Sequence, residues 1–435
     1  MKTRVKRRPF GRTGLSVSEV GLGAMNLRTL PDHETVIRFL NDILDLGINL
    51  IDTARAYNTR ENTEAKNRTG VYISSEEMLG RVISARKNPD EPLVLITKGH
   101  GYTRAAFDED YAASFHALQL EKRQGSLYIG STKIELIYLL HGIKNDRWDS
   151  IRDEKILEYA KERQSDGDFT LFGFSSHYGD TEVIKKAIDS GAFQACELPY
   201  NVYNPSLGEE GEIDLIKYAY DHGMGVIDMK AFNGNGTASI FPQIADYSGF
   251  GYSEMLRFCL SNPFISTIDA GAVNMEQFTE DVEASLLPEM TKNEREELRE
   301  KAKRVSPYLS EICRECMHCV EKFECPNEID FPKILGLHGR YTVATGLSKA
   351  SETASAGINN KTCTACKTDT TRSDKPENSW EVKAKSFYQD YAAFDPAADT
   401  CIACGQCLPW CEYDLDIPDM LKKAHADLSL HTSGE

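Results

Sequence analysis

The stretch Gly47-Ile48-Asn49-Leu50-Ile51-Asp52-Thr53-Ala54-Arg55-Ala56-Tyr57 is an apolar run that ends in a carboxylate and, five residues later, a phenol. Ile48, Leu50 and Ile51 suit a buried strand, and Gly47 ends the helix before it. Two further runs end in the same manner, Leu93-Val94-Leu95-Ile96-Thr97-Lys98 in an amine and Leu136-Ile137-Tyr138-Leu139-Leu140-His141 in an imidazole. An acid, a phenol, an amine and an imidazole delivered to the same ends of neighbouring parallel strands is how a barrel enzyme assembles an active site.

Outward from these runs, short apolar segments alternate with amphipathic helical ones. Candidate strands lie at 20–23, 48–52, 93–97, 136–140, 170–173, 195–198, 225–229 and 265–268. Between them Val36, Ile37, Leu40, Ile43 and Leu44 recur at helical spacing, and Ser74 with Glu77 forms a capping box ahead of Met78, Leu79, Val82 and Ile83. Asp180 similarly precedes Val183, Ile184, Ala187 and Ile188. Eight strand-helix repeats predict an α/β fold, a (β/α)8 TIM barrel, because each parallel strand needs a crossover helix and closure removes the sheet edges. Two long loops, 58–73 and the glycine-bearing 231–251, belong to the active face; they read either as surface or as a substrate gate and a phosphate-cradling segment.

The length of 435 residues exceeds one ordinary domain and fits a barrel over 1–305 with a smaller, mainly helical module over 306–435. Hydrophobic content of 41% supports a large core, and a formal charge of -17 argues against nucleic acid or an anionic membrane as partner. No run of about 18 apolar residues is present, so no bilayer span is expected. Arg7-Arg8 is followed by the turn-rich Gly11-Arg12-Thr13-Gly14 and not by an apolar stretch, which favours the cytoplasm over export. Ten of the twelve cysteines fall in the last third, as Cys-x2-Cys units, a distribution that suits metal binding in a reducing compartment. Cys196 and Cys259 stand apart in apolar surroundings and read as core packing. The segment 348–381, poor in large apolar residues, reads as a linker.

At the strand ends, a buried Lys98 ammonium needs an acidic partner, and Asp52 can supply it. A cation near the Tyr57 phenol is expected to lower a pKa that starts near 10 and so ready it to donate a proton, while His141 donates a hydrogen bond to the same carbonyl oxygen. At these residues the chain resembles the aldo-keto reductase family. Phe10-Gly11-Arg12-Thr13-Gly14-Leu15-Ser16-Val17-Ser18 with Gly21-Leu22-Gly23 is similar to its opening hairpin and first strand, and Asp52, Tyr57, Lys98 and His141 match its tetrad in order. The resemblance implies hydride transfer between NAD(P)H and a small carbonyl or alcohol substrate. It implies cofactor contacts at Ser175 and Ser176 after the fifth strand, Glu197 in the place of a usual Gln, Lys230 after the seventh, and Gly271, Gln277, Glu280 and Asp281 around the adenosine-binding helix. That helix carries no Lys or Arg to hold a 2'-phosphate, so NADH is favoured over NADPH.

Cys401-x2-Cys404-x2-Cys407-x3-Cys411 has bacterial ferredoxin spacing, and Cys313-x2-Cys316-x2-Cys319-x5-Cys325-Pro326 keeps the proline but has two extra residues before its fourth cysteine. Two [4Fe-4S] clusters are the favoured reading and four-thiolate zinc the competing one. By analogy with two-cluster ferredoxins, Cys313, Cys316, Cys319 and Cys411 hold one cluster and Cys401, Cys404, Cys407 and Cys325 the other. Cys363-x2-Cys366 is surplus to the eight ligands. The arrangement resembles aldo-keto reductases with a C-terminal ferredoxin-like extension. Two alternative functions follow. One is a nicotinamide-dependent oxidoreductase whose electron-transfer or sensing module could serve a redox partner protein. The other is a nucleotide-binding redox protein with little carbonyl turnover.

Overall fold

The computed structural model describes residues 5–58, 71–87, 91–177, 180–233, 249–309, 312–313, 315, 319–320, 323–357, 380–411, 413 and 415–429. The expected gate and phosphate-cradling loops lie mostly outside these residues, as do Cys316, Cys363 and Cys366. The chain divides into two compact units, Met1–Asn233 with Gly251–Leu298, and Gly234–Phe250 with Arg299–Glu435.

In the first unit twelve strands are described. A hairpin of β1 (Arg7–Pro9) and β2 (Ser16–Ser18) precedes β3 (Val20–Gly23), β4 (Leu50–Asp52) and β5 (Leu93–Gly99). After β6 (Glu121–Arg123) and β7 (Ser126–Ile129) come β8 (Thr132–Leu140), β9 (Leu171–Ser175), β10 (Ala195–Leu198), β11 (Gly225–Asp228) and β12 (Thr267–Ala270). The main sheet runs β5-β4-β3-β12-β11-β10-β9-β8, all parallel, and β5 pairs with β8 to close it into an eight-stranded barrel. Each expected strand is present, with ends displaced by a few residues. The antiparallel β6–β7 hairpin on the edge of β8 is an addition to the eight expected strands. It turns through Gln124 (φ 50°) and Gly125 (φ 78°), the left-handed pair that a two-residue hairpin needs.

Crossover helices are capped, the expected Ser74 cap among them. Asp32 accepts from the Thr35 amide at 2.7 Å at the start of His33–Asp45, and Ser74 from Glu77 at 3.4 Å before Ser75–Ala85. Their apolar stripes, Val36, Leu40 and Ile43 in one and Met78, Leu79, Val82 and Ile83 in the other, are buried.

Side chains alternate across a strand, so one inward residue fixes the rest. Leu50, Val94, Ile96, Ile137, Leu139, Leu171, Ala195 and Ile227 form the inner core together with Phe10 and Val17 from the hairpin region. Gly225 is glycine because a Cβ there would run into the Phe10 ring. Continuing the same parity towards the C-terminal strand ends brings Asp52, Lys98, His141, Ser175, Glu197 and Asp269 to the inner face. Cys196 and Cys259 are buried, as core packing requires.

In the second unit the helices Trp380–Ala392 and Ile417–Ser429 pack on Phe331–Gly357. Leu421, Ala424 and Leu428 meet Ile334, Leu335, Leu337 and Tyr391 in one core, which also takes in Cys319, Cys407 and Cys411. His338 Nε2 and Asp427 Oδ2 approach to 2.7 Å across two of these helices. Residues 348–357, expected as linker, continue the helix that begins at Phe331. Its Ala and Ser residues are compatible with a helix even where large apolar residues are few. Among the described residues no helix is long and apolar enough to cross a membrane.

Candidate functional site

Strand parity and register assemble the barrel site. Asp52 ends β4 opposite Ile96, and Lys98 stands two residues further along β5, so the ammonium and the carboxylate meet at the mouth. Both side chains are buried. Lys98 Nζ donates to Asp52 and to Glu197, whose carboxylate oxygens lie at 3.0 and 3.1 Å. The ammonium also lies 5.3 Å from the centre of the Tyr57 ring. His141 follows β8, presents its ring edge-on to Tyr57 at 6.0 Å between centroids, and stacks on His100 at 4.4 Å. A buried layer holds these strand ends in place: Thr97 Oγ1 donates to Glu76 at 2.6 Å, and Thr53 Oγ1 meets Ser75 Oγ at 2.8 Å.

The four residues expected to share one site are therefore brought together. Their electrostatics depart from expectation in one respect. Burial holds the Tyr57 phenol well above its usual value, and the lowering pull of Lys98 does not overcome it. Burial is the largest cause, and Asp52 and Glu197, which sit on Lys98, add to it. Burial also pushes Asp52 up to about 8, with Lys98 pulling it down and Glu197 pushing it up.

Asp269 completes the cluster and is absent from the sequence reading, which ends the last strand at Ile268. Its register is offset, with Ile268, Asp269 and Ala270 paired to Val20, Gly21 and Leu22. One oxygen from each of Asp52, Glu197 and Asp269 lies within 4.8 Å of the other two. The neighbouring Asp228 faces the other way, its Oδ1 accepting from the amides of Tyr200 and Lys230, and burial pushes it up to about 7.

The expected cofactor contacts occupy the same end. Ser175 Oγ accepts from the Gly142 amide at 2.9 Å, and the Ser176 amide donates to the Glu197 carbonyl at 3.1 Å. Ser176 Oγ is buried without a hydrogen-bond partner, an orphan that a carboxamide could satisfy. Glu197, expected against that carboxamide, faces Lys98. Lys230 is half-buried after β11, and Asn26 Nδ2 donates to the Gly271 carbonyl at 2.6 Å. Asn274 caps the helix Met275–Leu286, with Gln277 in its first turn. Glu280 is exposed, whereas Asp281 is buried and pushed up to about 8, by burial first and by Glu280 second.

In the second unit, Cys325, Cys401, Cys404 and Cys407 line one pocket with Ile329, Phe331, Ile417 and Leu421. Asn327 Nδ2 donates to the Thr400 carbonyl at 2.6 Å and ties the two cysteine loops together. Burial pushes the Cys407 thiol up to about 11, and the thiols of Cys404, Cys401 and Cys325 add to the effect. Cys319 and Cys411 are buried in the shared core with Cys313 packed against it. The Leu415 amide points at Cys411 Sγ (3.5 Å) and the Glu315 amide at Cys313 Sγ (3.4 Å). Glu315 and Ala403, each one residue before the second cysteine of its run, both stand at φ 49°, so the two runs make the same left-handed turn.

Comparison with known proteins agrees with the barrel. The chain is 23% identical over 318 residues to the uncharacterized oxidoreductase YqkF of Bacillus subtilis, covering 67% of this chain and 94% of that protein. It is 27% identical over 224 residues to the uncharacterized oxidoreductase YrpG of the same organism, covering 50% of this chain but only 64% of the other. The solved aldo-keto reductase AKR11C1 from Bacillus halodurans (holo form) superposes with a TM-score of 0.53 at 21% identity, over 69% of this chain and 97% of that one. The profile described as the Aldo/keto reductase family matches residues 19–246, more than half of the chain, and the chain belongs to that family.

Proposed function

We propose that the protein is an NAD(P)-dependent oxidoreductase that moves a hydride between nicotinamide and a small carbonyl or alcohol, with a C-terminal iron-sulfur module. The observation that carries the first half is the convergence of Tyr57, Lys98, Asp52 and His141 at one end of the barrel. Tyr57 is the proton donor to the carbonyl oxygen. Lys98 steadies the phenolate that remains, Asp52 and Glu197 hold Lys98 in place, and His141 orients the oxygen. Bound nicotinamide supplies the hydride. Ser175, Ser176, Glu197, Lys230, Gly271, Gln277, Glu280 and Asp281 are the residues that would hold it, and the acidic helix Met275–Leu286 favours NADH.

For the module, taken as residues 306–435, the donor set supports cubanes over zinc. Thiolates on one zinc stand about 3.8 Å apart, from a Zn–S bond of about 2.3 Å in a tetrahedron. Among the described residues only Asp52, Glu197 and Asp269 offer three ligand atoms all within 4.8 Å of one another, so no three described cysteine sulfurs are that close. That Cys325, Cys401, Cys404 and Cys407 line one pocket supports the crossed pairing, with Cys313, Cys316, Cys319 and Cys411 on the other cluster. The clusters would carry single electrons to or from a partner protein.

A second reading, a nucleotide-binding redox protein with little carbonyl turnover, is favoured by one observation: two carboxylates already engage Lys98. Anaerobic titration with NADH and NADPH, following cofactor fluorescence and cluster absorbance, separates the two. Turnover of a carbonyl supports the first reading; cluster reduction without turnover supports the second.

A further inference from the structure

Among the described residues, Lys98 is the one cation in contact with the carboxylates at the barrel mouth. Asp52 and Glu197 take its hydrogen bonds. Asp269 has no cation within ion-pair reach among the described residues, its Oδ1 is buried without a hydrogen-bond partner, and it lies within 4.8 Å of both other carboxylates. Two buried carboxylates and the half-buried Asp269 around one ammonium cannot all ionise cheaply: two like charges this close drive one group to keep its proton. Of the three, Asp269 is the one that Lys98 pulls on only from beyond ion-pair distance.

The described groups facing Asp269 leave no other source of balance. β4 brings Asp52, β5 brings Lys98, β10 brings Glu197, and β3 brings no titratable side chain. β11 brings Asp228, a further carboxylate, turned towards the Tyr200 and Lys230 amides. Tyr57 faces Lys98, and His141 meets the Tyr57 ring.

We propose that Asp269 is a positioning residue that stays protonated at neutral pH and donates that proton as a hydrogen bond to Asp52, leaving Lys98 with enough unopposed charge to stabilise the Tyr57 phenolate. The proton is shared within the carboxyl pair and is not consumed in turnover. When Asp269 ionises, a third negative charge is added beside Lys98 and proton donation by Tyr57 becomes harder. The catalytic part of this assignment rests on the carbonyl-reductase reading above. Burial, with Asp52 and Glu197 next, holds Asp269 well above the usual carboxylate range, in agreement.

The test has two independent readouts on the full chain. Infrared difference spectra of the wild type against Asp269→Asn, recorded at neutral pH without substrate, should show a protonated carboxyl band that the variant lacks. Asp269→Ser, which removes the carboxyl without adding an amide, should lose the same band. In the carbonyl-reduction assay, Asp269→Asn should move the alkaline limb of the kcat/KM profile upward by about one pH unit, since no group remains to ionise there. Absence of the band from the wild type, or its persistence in both variants, overturns the proposal. So does an alkaline limb that does not move. A band lost in both variants of a protein that reduces no carbonyl supports the protonated Asp269 and removes only the reductase reading.

Discussion

Glu197 stands 3.0 Å from Lys98 Nζ and shares that ammonium with Asp52. This second carboxylate also raises the proton affinity of Asp269, so removing its charge should let Asp269 ionise at lower pH. Glu197→Gln is therefore expected to lower the alkaline limb of the kcat/KM profile for carbonyl reduction by about one pH unit. A limb that stays or rises would show that Glu197 does not hold the Asp269 proton.

Tyr57→Phe keeps the ring beside Lys98 and removes only the phenolic hydroxyl. Carbonyl reduction should fall by about 100-fold or more, while nicotinamide affinity, measured by fluorescence titration, stays near that of the wild type. Turnover near the wild-type level would take the donor role from Tyr57.

Asp281 is buried on the helix Met275–Leu286, and burial with neighbouring Glu280 pushes it from 3.8 to about 8. Folding therefore retains a proton that the unfolded chain releases. The stability this provides is complete below about pH 4 and is lost as pH rises through about 8. Asp281→Asn has no charge to bury, so its advantage over the wild type should be smaller at pH 5 and grow towards pH 8 by up to about 1.4 kcal/mol per pH unit, as linkage between the two pKa values requires. Paired thermal melts at the two pH values decide it; an equal shift at both would assign the effect to packing.

Cys325 and Cys404 are 79 positions apart in sequence yet line the same pocket. If they hold one cubane, Cys325→Ser and Cys404→Ser should each lose about half of the iron of anaerobically purified protein, and the double variant should lose no more than either alone. Nicotinamide binding should persist in all three, and Cys363→Ser should keep its iron. Additive loss in the double variant would place the two cysteines on different clusters.

Much of this site is legible in the amino-acid sequence, because period-two alternation carries chemistry as well as packing. Once Leu50 and Ile96 are inward, Asp52 and Lys98 must be inward too, and an ionisable residue in that position has few reasons to exist other than a partner. The features that escape a sequence reading do so for physical reasons. Asp269 follows Ile268 and is itself polar, so the strand's end cannot be told from the loop. The acidity of Tyr57 is overestimated because a cation in sequence says nothing of how deeply the phenol beside it will be buried, or of how many carboxylates it will meet. The β6–β7 hairpin is short and partly charged, and only Gln124-Gly125 marks it. The long helix from Phe331 runs into a Ser- and Ala-rich stretch whose composition suits linker and helix alike.

Phe10 seats against Gly225, and Val20 pairs with Ile268. During synthesis, the hairpin and β3 therefore emerge long before the partners that bury them. At about 5–20 residues per second, the delay between Val20 and Ile268 is on the order of 10–50 s. Until Gly225 emerges Phe10 has no seat, and until Ile268 emerges β3 keeps an open edge, which invites pairing with other nascent chains. The barrel is thus sealed by a late strand, and a ribosome stalled anywhere before Thr267 leaves an unclosed sheet that molecular chaperones would have to shield.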